Sequence, residues 1–87
     1  MSDNSALHSQ LRKILSDVSR RPCADIGLDD DLFSVGVLDS FGTIEFVTAL
    51  ERHFHCIIPQ DELIPQNFWS VRSISDTLCR LDVSIPS

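Results

Sequence analysis

The sequence predicts an all-α fold, a small bundle of three main helices plus one short helix, with a long ordered loop between helices 1 and 2. Apolar residues recur at helical spacing in three segments, and no segment shows the alternation typical of a strand. The 87 residues, 43% of them hydrophobic, suffice for one small core. We therefore expect a single domain over 1–87, with frayed ends at 1–4 and 83–87.

The first helix is predicted from about Ser5 to Arg20. Arg20 and Arg21 suit the negative end of a helix dipole, and Pro22 prevents simple continuation. One stripe of this helix is apolar and is expected to be buried. It comprises Leu7, Leu11, Ile14, Leu15 and Val18.

The connection from Pro22 to Leu38 is long for a compact domain. Its seven apolar residues indicate an ordered loop with about one helical turn. The acidic run Asp29–Asp31 invites a calcium interpretation, but an EF-hand loop needs Gly at its sixth position and Glu at its twelfth. The chain has Ser34 and Ser40 there, so these carboxylates are expected to form a solvated face or a capped turn.

The second helix is predicted from the dipeptide Asp39-Ser40 to His53 or Phe54. Either residue of the dipeptide is a good N-cap. Apolar groups cover a broad arc of this helix, which leaves Phe46 open to two interpretations, a core residue or a partner contact. Helices of this composition usually contact several others.

Three metal-ligand types, His53, His55 and Cys56, follow in close succession. They lack a second cluster and a recognised zinc spacing, so turn and edge positions explain them better than a metal site.

Two further helices are predicted near the end of the chain. Asp61–Ile64 can form only a short helix before Pro65, and Ser70 is expected to cap the last helix. Ser73 offers a competing start, through a capping box with Asp76. The last helix has one apolar face, and an aromatic pair before it is expected to plug the bundle. These residues are Val71, Ile74, Leu78 and Leu81, and Phe68 and Trp69.

Ser40 places a hydroxyl on the first turn of an amphipathic helix. A phosphate ester there would lie beside unpaired N–H groups and the positive end of the helix dipole. The simplest competing explanation is a plain helix cap. A serine-hydrolase elbow needs Gly two residues to either side of the nucleophile; Gly42 fits, but position 38 is Leu.

The run Leu38-Asp39-Ser40-Phe41, followed by Ile44-Glu45-Phe46-Val47 and Ala49-Leu50-Glu51, resembles the signature of carrier proteins. The resemblance implies that Ser40 receives 4′-phosphopantetheine from coenzyme A and that the arm's thiol holds an acyl or aminoacyl thioester. It extends to Asp31-Leu32-Phe33 and to Ile58-Pro59. It implies a non-catalytic carrier that is itself a substrate of modifying and loading enzymes.

The details favour a stand-alone aminoacyl or D-alanyl type of carrier. Fatty-acid carriers typically have Leu and an acidic residue after the Ser, and a glutamate-rich second helix. This chain has Phe41-Gly42, and Arg52-His53 near the helix end. The alternatives are an acyl carrier for fatty-acid or polyketide synthesis and, in another class, a helical protein-interaction domain without a prosthetic group.

The resemblance also implies partners. These are a phosphopantetheinyl transferase, an adenylating amino acid or acyl ligase, and a downstream acyl-accepting enzyme. The residues expected to dock them are Asp39, Phe41, Ile44, Glu45, Thr48 and Glu51. Five aromatic rings are expected to fill the interior: Phe41, Phe46, Phe54, Phe68 and Trp69. A filled interior favours a small cargo such as glycine or alanine over a sheltered alkyl chain.

A net charge of −6 argues against nucleic-acid binding, and no apolar run suffices to span a bilayer. The N-terminus lacks the features of a signal peptide. Cys23, Cys56 and Cys79 show no CxxC spacing, which indicates free thiols and a reducing, cytoplasmic setting. We expect a monomer without a bound metal or membrane insertion.

Overall fold

The computed structural model describes residues 5–81, which form a helical bundle without a strand. The all-α prediction is confirmed. The predicted fraying at 1–4 and 83–87 lies outside the described residues. The helices are α1 (Ser5–Ser19), α2 (Ser40–Phe54), α3 (Pro65–Phe68) and α4 (Val71–Arg80), with a 3₁₀ turn (Gln60–Glu62) between α2 and α3.

Helix α1 packs against both α2 and α4 through the predicted stripe. Leu11 and Leu15 are fully buried, and Leu7 and Ile14 nearly so. The helix ends at Ser19, where Arg20 turns the backbone into the left-handed region with φ 59°. Pro22 then follows, as expected for a chain that must leave the helix.

Each carboxylate of Asp29–Asp31, in the loop between α1 and α2, has a hydrogen-bond partner. Asp31 Oδ1 accepts hydrogen bonds from the N–H groups of Phe33 and Ser34, and Asp30 accepts one from the Gly27 N–H. The Asp29 carboxylate accepts hydrogen bonds from Nε and Nη2 of the Arg72 guanidinium. The expected capped turn is therefore present, and it includes one helical-turn hydrogen bond, from the Val35 N–H to the Asp31 carbonyl.

Backbone contacts also fasten this loop to the rest of the bundle. The Leu32 N–H donates to the Trp69 carbonyl over 2.8 Å, and the Arg72 N–H donates to the Leu28 carbonyl over 3.0 Å. Arg12 on α1 donates its Nε–H to the Ile26 carbonyl over 2.8 Å. The loop is thus ordered because its polar groups, as well as its apolar side chains, have fixed partners.

The predicted short helix over Asp61–Ile64 is wrong in its position. Part of that segment forms the 3₁₀ turn, and the short α-helix begins at Pro65. Proline suits a first helical position because it has no N–H to leave unpaired there and its φ is already near the helical value. Ile64 before it is extended, as the proline ring requires.

The core contains Phe46, which is fully buried, so the core interpretation of this residue is correct. Phe68 is buried as predicted, but Trp69 is 45% exposed, so only one of the two rings plugs the bundle. Ser70 caps α4 by accepting a hydrogen bond from the Ser73 N–H over 3.0 Å. The competing start at Ser73 is not used.

Candidate functional site

Helix α2 begins at Ser40, and its N-cap is Asp39. Asp39 has an extended backbone, and its carboxylate accepts a hydrogen bond from the Gly42 N–H. Its carbonyl accepts from both the N–H and the hydroxyl of Thr43, over 2.8 and 2.7 Å. The sequence left two candidates for this cap, and the structure selects the aspartate.

Because Asp39 takes the capping position, the Ser40 hydroxyl is left available. The residue is exposed, and its side chain makes no hydrogen bond within residues 5–81. A serine acting only as a cap would instead direct its oxygen to a first-turn N–H. The plain-cap explanation of Ser40 therefore does not describe this helix.

Gly42 allows the cap to lie close over the first turn. A Cβ at this position would lie 3.1 Å from Asp39 Oδ1, which is tighter than most side-chain contacts. From the sequence, Gly42 was considered as one glycine of a hydrolase elbow and as a departure from the fatty-acid pattern, and neither predicts this contact. Its structural role depends on the position of a neighbouring carboxylate.

The segment that leads to Ser40 is fixed by hydrogen bonds to Leu32 and from Arg21. Val37 and Leu38 are buried, and both of their N–H groups donate to the Leu32 carbonyl. Gly36 has φ +81°, a conformation that favours glycine. The Arg21 guanidinium contacts this turn by donating to the Val35 carbonyl over 3.3 Å. Ser40 therefore follows a segment whose position these contacts fix.

An apolar groove of about 580 Å³ opens beside Ser40. It lies between the first half of α2 and the segment that contains α3. The sequence analysis missed it, because five rings were expected to fill the interior. Phe41 is 72% exposed and Trp69 is 45% exposed, so two of those rings lie at the surface. The apolar lining includes Phe33, Ile44, Val47, Leu63, Ile64 and Phe68.

Five of the six predicted docking residues are exposed at Ser40 or further along α2: Asp39, Phe41, Ile44, Glu45 and Thr48. Ile44 is 68% exposed, which is unusual for a large aliphatic residue in mid-helix. The helical repeat places Ile44, Thr48 and Arg52 on one stripe. Residues 39–52 thus present a continuous outward face.

Glu51, the sixth predicted docking residue, differs from the others. It is half-buried, and its Oε2 accepts a hydrogen bond from the Ile58 N–H over 2.8 Å. It therefore holds the chain that leaves α2. Burial, with a smaller effect from the Glu51 charge, raises the pKa of the Cys56 thiol.

The His53, His55 and Cys56 trio occupies turn and edge positions. His53 Nε2 lies 3.1 Å from Gln10 Oε1, and the His53 ring meets the Phe54 ring edge to face. His55 forms the left-handed C-cap of α2, with φ 53°. Within residues 5–81, no three His, Cys, Asp or Glu side chains come together as a metal site.

A helical bundle with an unengaged serine at the start of one helix, beside an apolar groove, is suited to holding a phosphate-linked group at its surface. A family model described as a phosphopantetheine attachment site matches residues 9–78. The chain therefore belongs to the phosphopantetheine-bearing carrier proteins, and its prosthetic group is covalently attached 4′-phosphopantetheine.

Curated relatives include D-alanyl carrier proteins. The protein from Streptococcus mutans serotype c is 39% identical over 56 residues, which are 64% of this chain and 70% of the relative. The protein from Bacillus licheniformis is 34% identical over 55 residues, which are 63% of this chain and 70% of the relative.

A similar fold occurs in a crystal structure of engineered Bradyrhizobium japonicum glycine:[carrier protein] ligase complexed with carrier protein from Agrobacterium tumefaciens and ATP. The match has a TM-score of 0.78 and 26% identity, and it covers 85% of this chain and 97% of the other. The corresponding complex with AMP gives a TM-score of 0.76, 27% identity, and coverage of 83% and 97%. In the described part of this chain, no helix is long and apolar enough to cross a membrane.

The residues around Ser40 fit the family's prosthetic group. The hydroxyl is exposed and free of hydrogen bonds within the described residues, and the first-turn N–H groups of α2 lie beside it. The groove at Ser40 offers apolar surface on the side of α3.

Proposed function

We propose that Ser40 is the attachment point of the phosphopantetheine arm and that the arm holds an aminoacyl or short acyl group as a thioester. The observation that carries the proposal is the unengaged Ser40 hydroxyl at the start of α2, within the matched segment. In the transfer, the Ser40 oxygen would lose its proton and form the bond to the phosphorus next to the pantetheine arm of coenzyme A. The pyrophosphate bond of coenzyme A would break and adenosine 3′,5′-bisphosphate would leave, while Asp39 holds the first turn in place. Bound to Ser40, the group supplies a thiol for the cargo.

This function needs no catalytic group of the chain's own. The chain supplies a fixed anchor, and a tether of this kind raises the effective concentration of the cargo at each partner site. We therefore propose a non-enzymatic protein, modified by a phosphopantetheinyl transferase, loaded by an adenylating ligase and unloaded by an acyl-accepting enzyme. Coenzyme A and ATP as co-substrates, together with the free cysteines of residues 5–81, favour a cytoplasmic setting. We further propose that the protein is a monomer.

We propose a small amino acid such as glycine or alanine as the cargo. The D-alanyl carriers among the relatives and the glycine ligase complex among the similar folds support this choice. The expected filling of the interior by aromatic rings no longer supports it, because Phe41 and Trp69 lie at the surface.

The apolar groove favours a second candidate, an acyl carrier for fatty-acid or polyketide synthesis, because it offers an alkyl chain space beside Ser40. An octanoyl thioester on the modified protein distinguishes the two. For an aminoacyl carrier, backbone NMR shifts should change little away from Ser40. Large shifts at Ile44, Val47 and Phe68 would favour the acyl carrier.

The attachment site is tested by intact mass. Incubation with coenzyme A and a broad-specificity transferase should add one phosphopantetheinyl group to the wild type and none to Ser40→Ala. Ser34→Ala, an exposed serine of the preceding loop, is the matched control and should be modified normally. Because Asp39 is the cap, Ser40→Ala should keep the wild-type melting temperature.

Modification of Ser40→Ala would place the arm on another serine. An unmodified wild type, after several transferases, would instead support a helical interaction domain without a prosthetic group.

A further inference from the structure

The outward face of α2 carries charges of opposite sign at its two ends. Asp39 and Glu45 lie at the Ser40 end and are both exposed. Arg52, also exposed, lies in the last turn. Twelve residues of helix separate Ser40 from Arg52, about 18 Å at 1.5 Å per residue. Asp39 is therefore well beyond the Debye length of about 8 Å from Arg52 at physiological salt, whereas Glu45, about 10.5 Å from Arg52 along the helix, is close to it.

A hollow of about 230 Å³ runs along this face from Ile44 to Arg52. Its lining includes Ile44, Glu45, Thr48 and Arg52. Glu45 and Arg52 therefore border the same depression, with the exposed Ile44 side chain between the acidic end and Thr48. A partner that covers Ile44 must also meet both charges.

The Arg52 charge is not consumed inside the bundle. The ion pairs of residues 5–81 join Arg72 to Asp29 and Arg80 to Glu62. Within the same residues, Arg12 and Arg21 donate to backbone carbonyls, whereas the Arg52 side chain has no such partner. The neighbouring His53 turns towards Gln10 on α1. Arg52 is thus the charge that this end of α2 presents outwards.

We infer that Arg52 sets a partner preference at this face: it favours a partner enzyme whose surface is acidic opposite Arg52 and disfavours one that is basic along the whole contact with α2. This inference rests on the proposed role of Ser40. Like charges brought together at an interface oppose binding, so a single arginine can select between two otherwise suitable surfaces. The arginine also suits the negative end of the helix dipole, a structural role that would not select partners.

A charge-swap experiment on the modification of Ser40 tests the inference. It uses a transferase with a basic docking surface and a version of it in which the basic residues facing the end of α2 are replaced by glutamate. The wild-type carrier should have the lower KM with the glutamate version, and Arg52→Glu should have the lower KM with the original. Each preference should be about two- to fivefold, the range for exposed ion pairs, with kcat nearly unchanged.

Two controls separate partner selection from a structural effect. Lys13→Glu makes the same charge change at an exposed position of α1 and should keep the wild-type preference. The reversed transferase preference of Arg52→Glu should vanish in about 1 M salt, where the Debye length is about 3 Å. Melting curves of both variants measure any cost to the fold.

Equal KM values for both transferases with wild type and Arg52→Glu would overturn the inference and leave the role of Ser40 intact. The same preference shift in Lys13→Glu would also overturn it, because the effect would then reflect net charge. Failure of every transferase to modify the wild type would refute the proposed function, and the docking inference with it.

Discussion

Helices α2 and α4 use apolar residues in different ways. In α4 the large aliphatic residues Val71, Ile74 and Leu78 are at most 1% exposed. In α2 the core receives Phe46, Leu50 and Phe54, while Phe41 and Ile44 remain 72% and 68% exposed.

The two helices therefore have different roles. A helix that serves only the fold buries its apolar stripe and keeps charges outside, as α4 does. Exposed large apolar residues beside a groove mark a surface that interacts with something else. We therefore propose that the half of α2 next to Ser40 is the functional part of the bundle and that α4 supports it.

The largest expected effect concerns the same residue type on the two helices. Ile74→Ala in α4 should lower the free energy of unfolding by about 2–5 kcal/mol, because it leaves a cavity in the core. Ile44→Ala in α2 should change it by less than about 0.5 kcal/mol, because the side chain already meets water. Urea unfolding of both variants gives the comparison. Similar losses would mean that Ile44 packs against the bundle in solution.

The two helix caps should contribute about equally to stability and differently to function. Asp39→Ala and Ser70→Ala should each cost about 0.5–2 kcal/mol, since each removes the acceptor for a first-turn N–H. Only Asp39→Ala should also slow the modification of Ser40, because that cap holds the attachment site. Thermal unfolding and initial modification rates measure the two effects. Equal slowing by Ser70→Ala would trace the loss to stability alone.

The local features of this molecule were predictable from the sequence, because they depend on near neighbours. The helical repeats around Ile14 and Ile74 predicted the buried stripes of α1 and α4, and the Asp39-Ser40 dipeptide predicted the start of α2. The start of α3 was placed on the wrong side of Pro65, although proline at a first helical position is a known preference.

The groove and the Glu51 contact could not be predicted in the same way. The groove exists because Leu63 and Ile64 stand away from α2, and a linear pattern does not show that separation. The Glu51 bond to the Ile58 N–H likewise depends on where the chain turns after His55. These features follow from the spatial arrangement of distant segments.

A smaller effect is expected from the acidic end of α2. Glu45→Lys should slow loading of the modified protein by its ligase several-fold at low salt, and the deficit should shrink as salt rises, because exposed charges are screened. The melting temperature should remain nearly unchanged. Asp17→Lys, which makes the same charge change at an exposed position of α1, is the matched control. Normal loading of Glu45→Lys at low salt would remove Glu45 from the docking surface.

The smallest effect is expected from the ion pair that ties the loop to α4. Hydrogen bonding and the charge of Arg72 lower the pKa of Asp29 below its ordinary value of 3.8. Because the pKa of Asp29 is lower in the folded state than in the unfolded state, the ionised carboxylate stabilises the fold at pH values above 3.8. This contribution disappears as the pH falls through the folded-state pKa.

Asp29→Asn should therefore lower the melting temperature slightly at neutral pH. The melting temperatures of variant and wild type should become equal when the pH lies below the folded-state pKa of Asp29. Asp61→Asn, which removes the charge of another exposed aspartate, is the matched control. Both residues of the pair are more than half exposed, so solvent should keep the difference small. Melting curves of the three proteins across the acid range measure it. Coincident curves for wild type and Asp29→Asn would show that the pair contributes nothing to stability, which would leave the backbone hydrogen bonds of Leu32 and Arg72 to hold the loop.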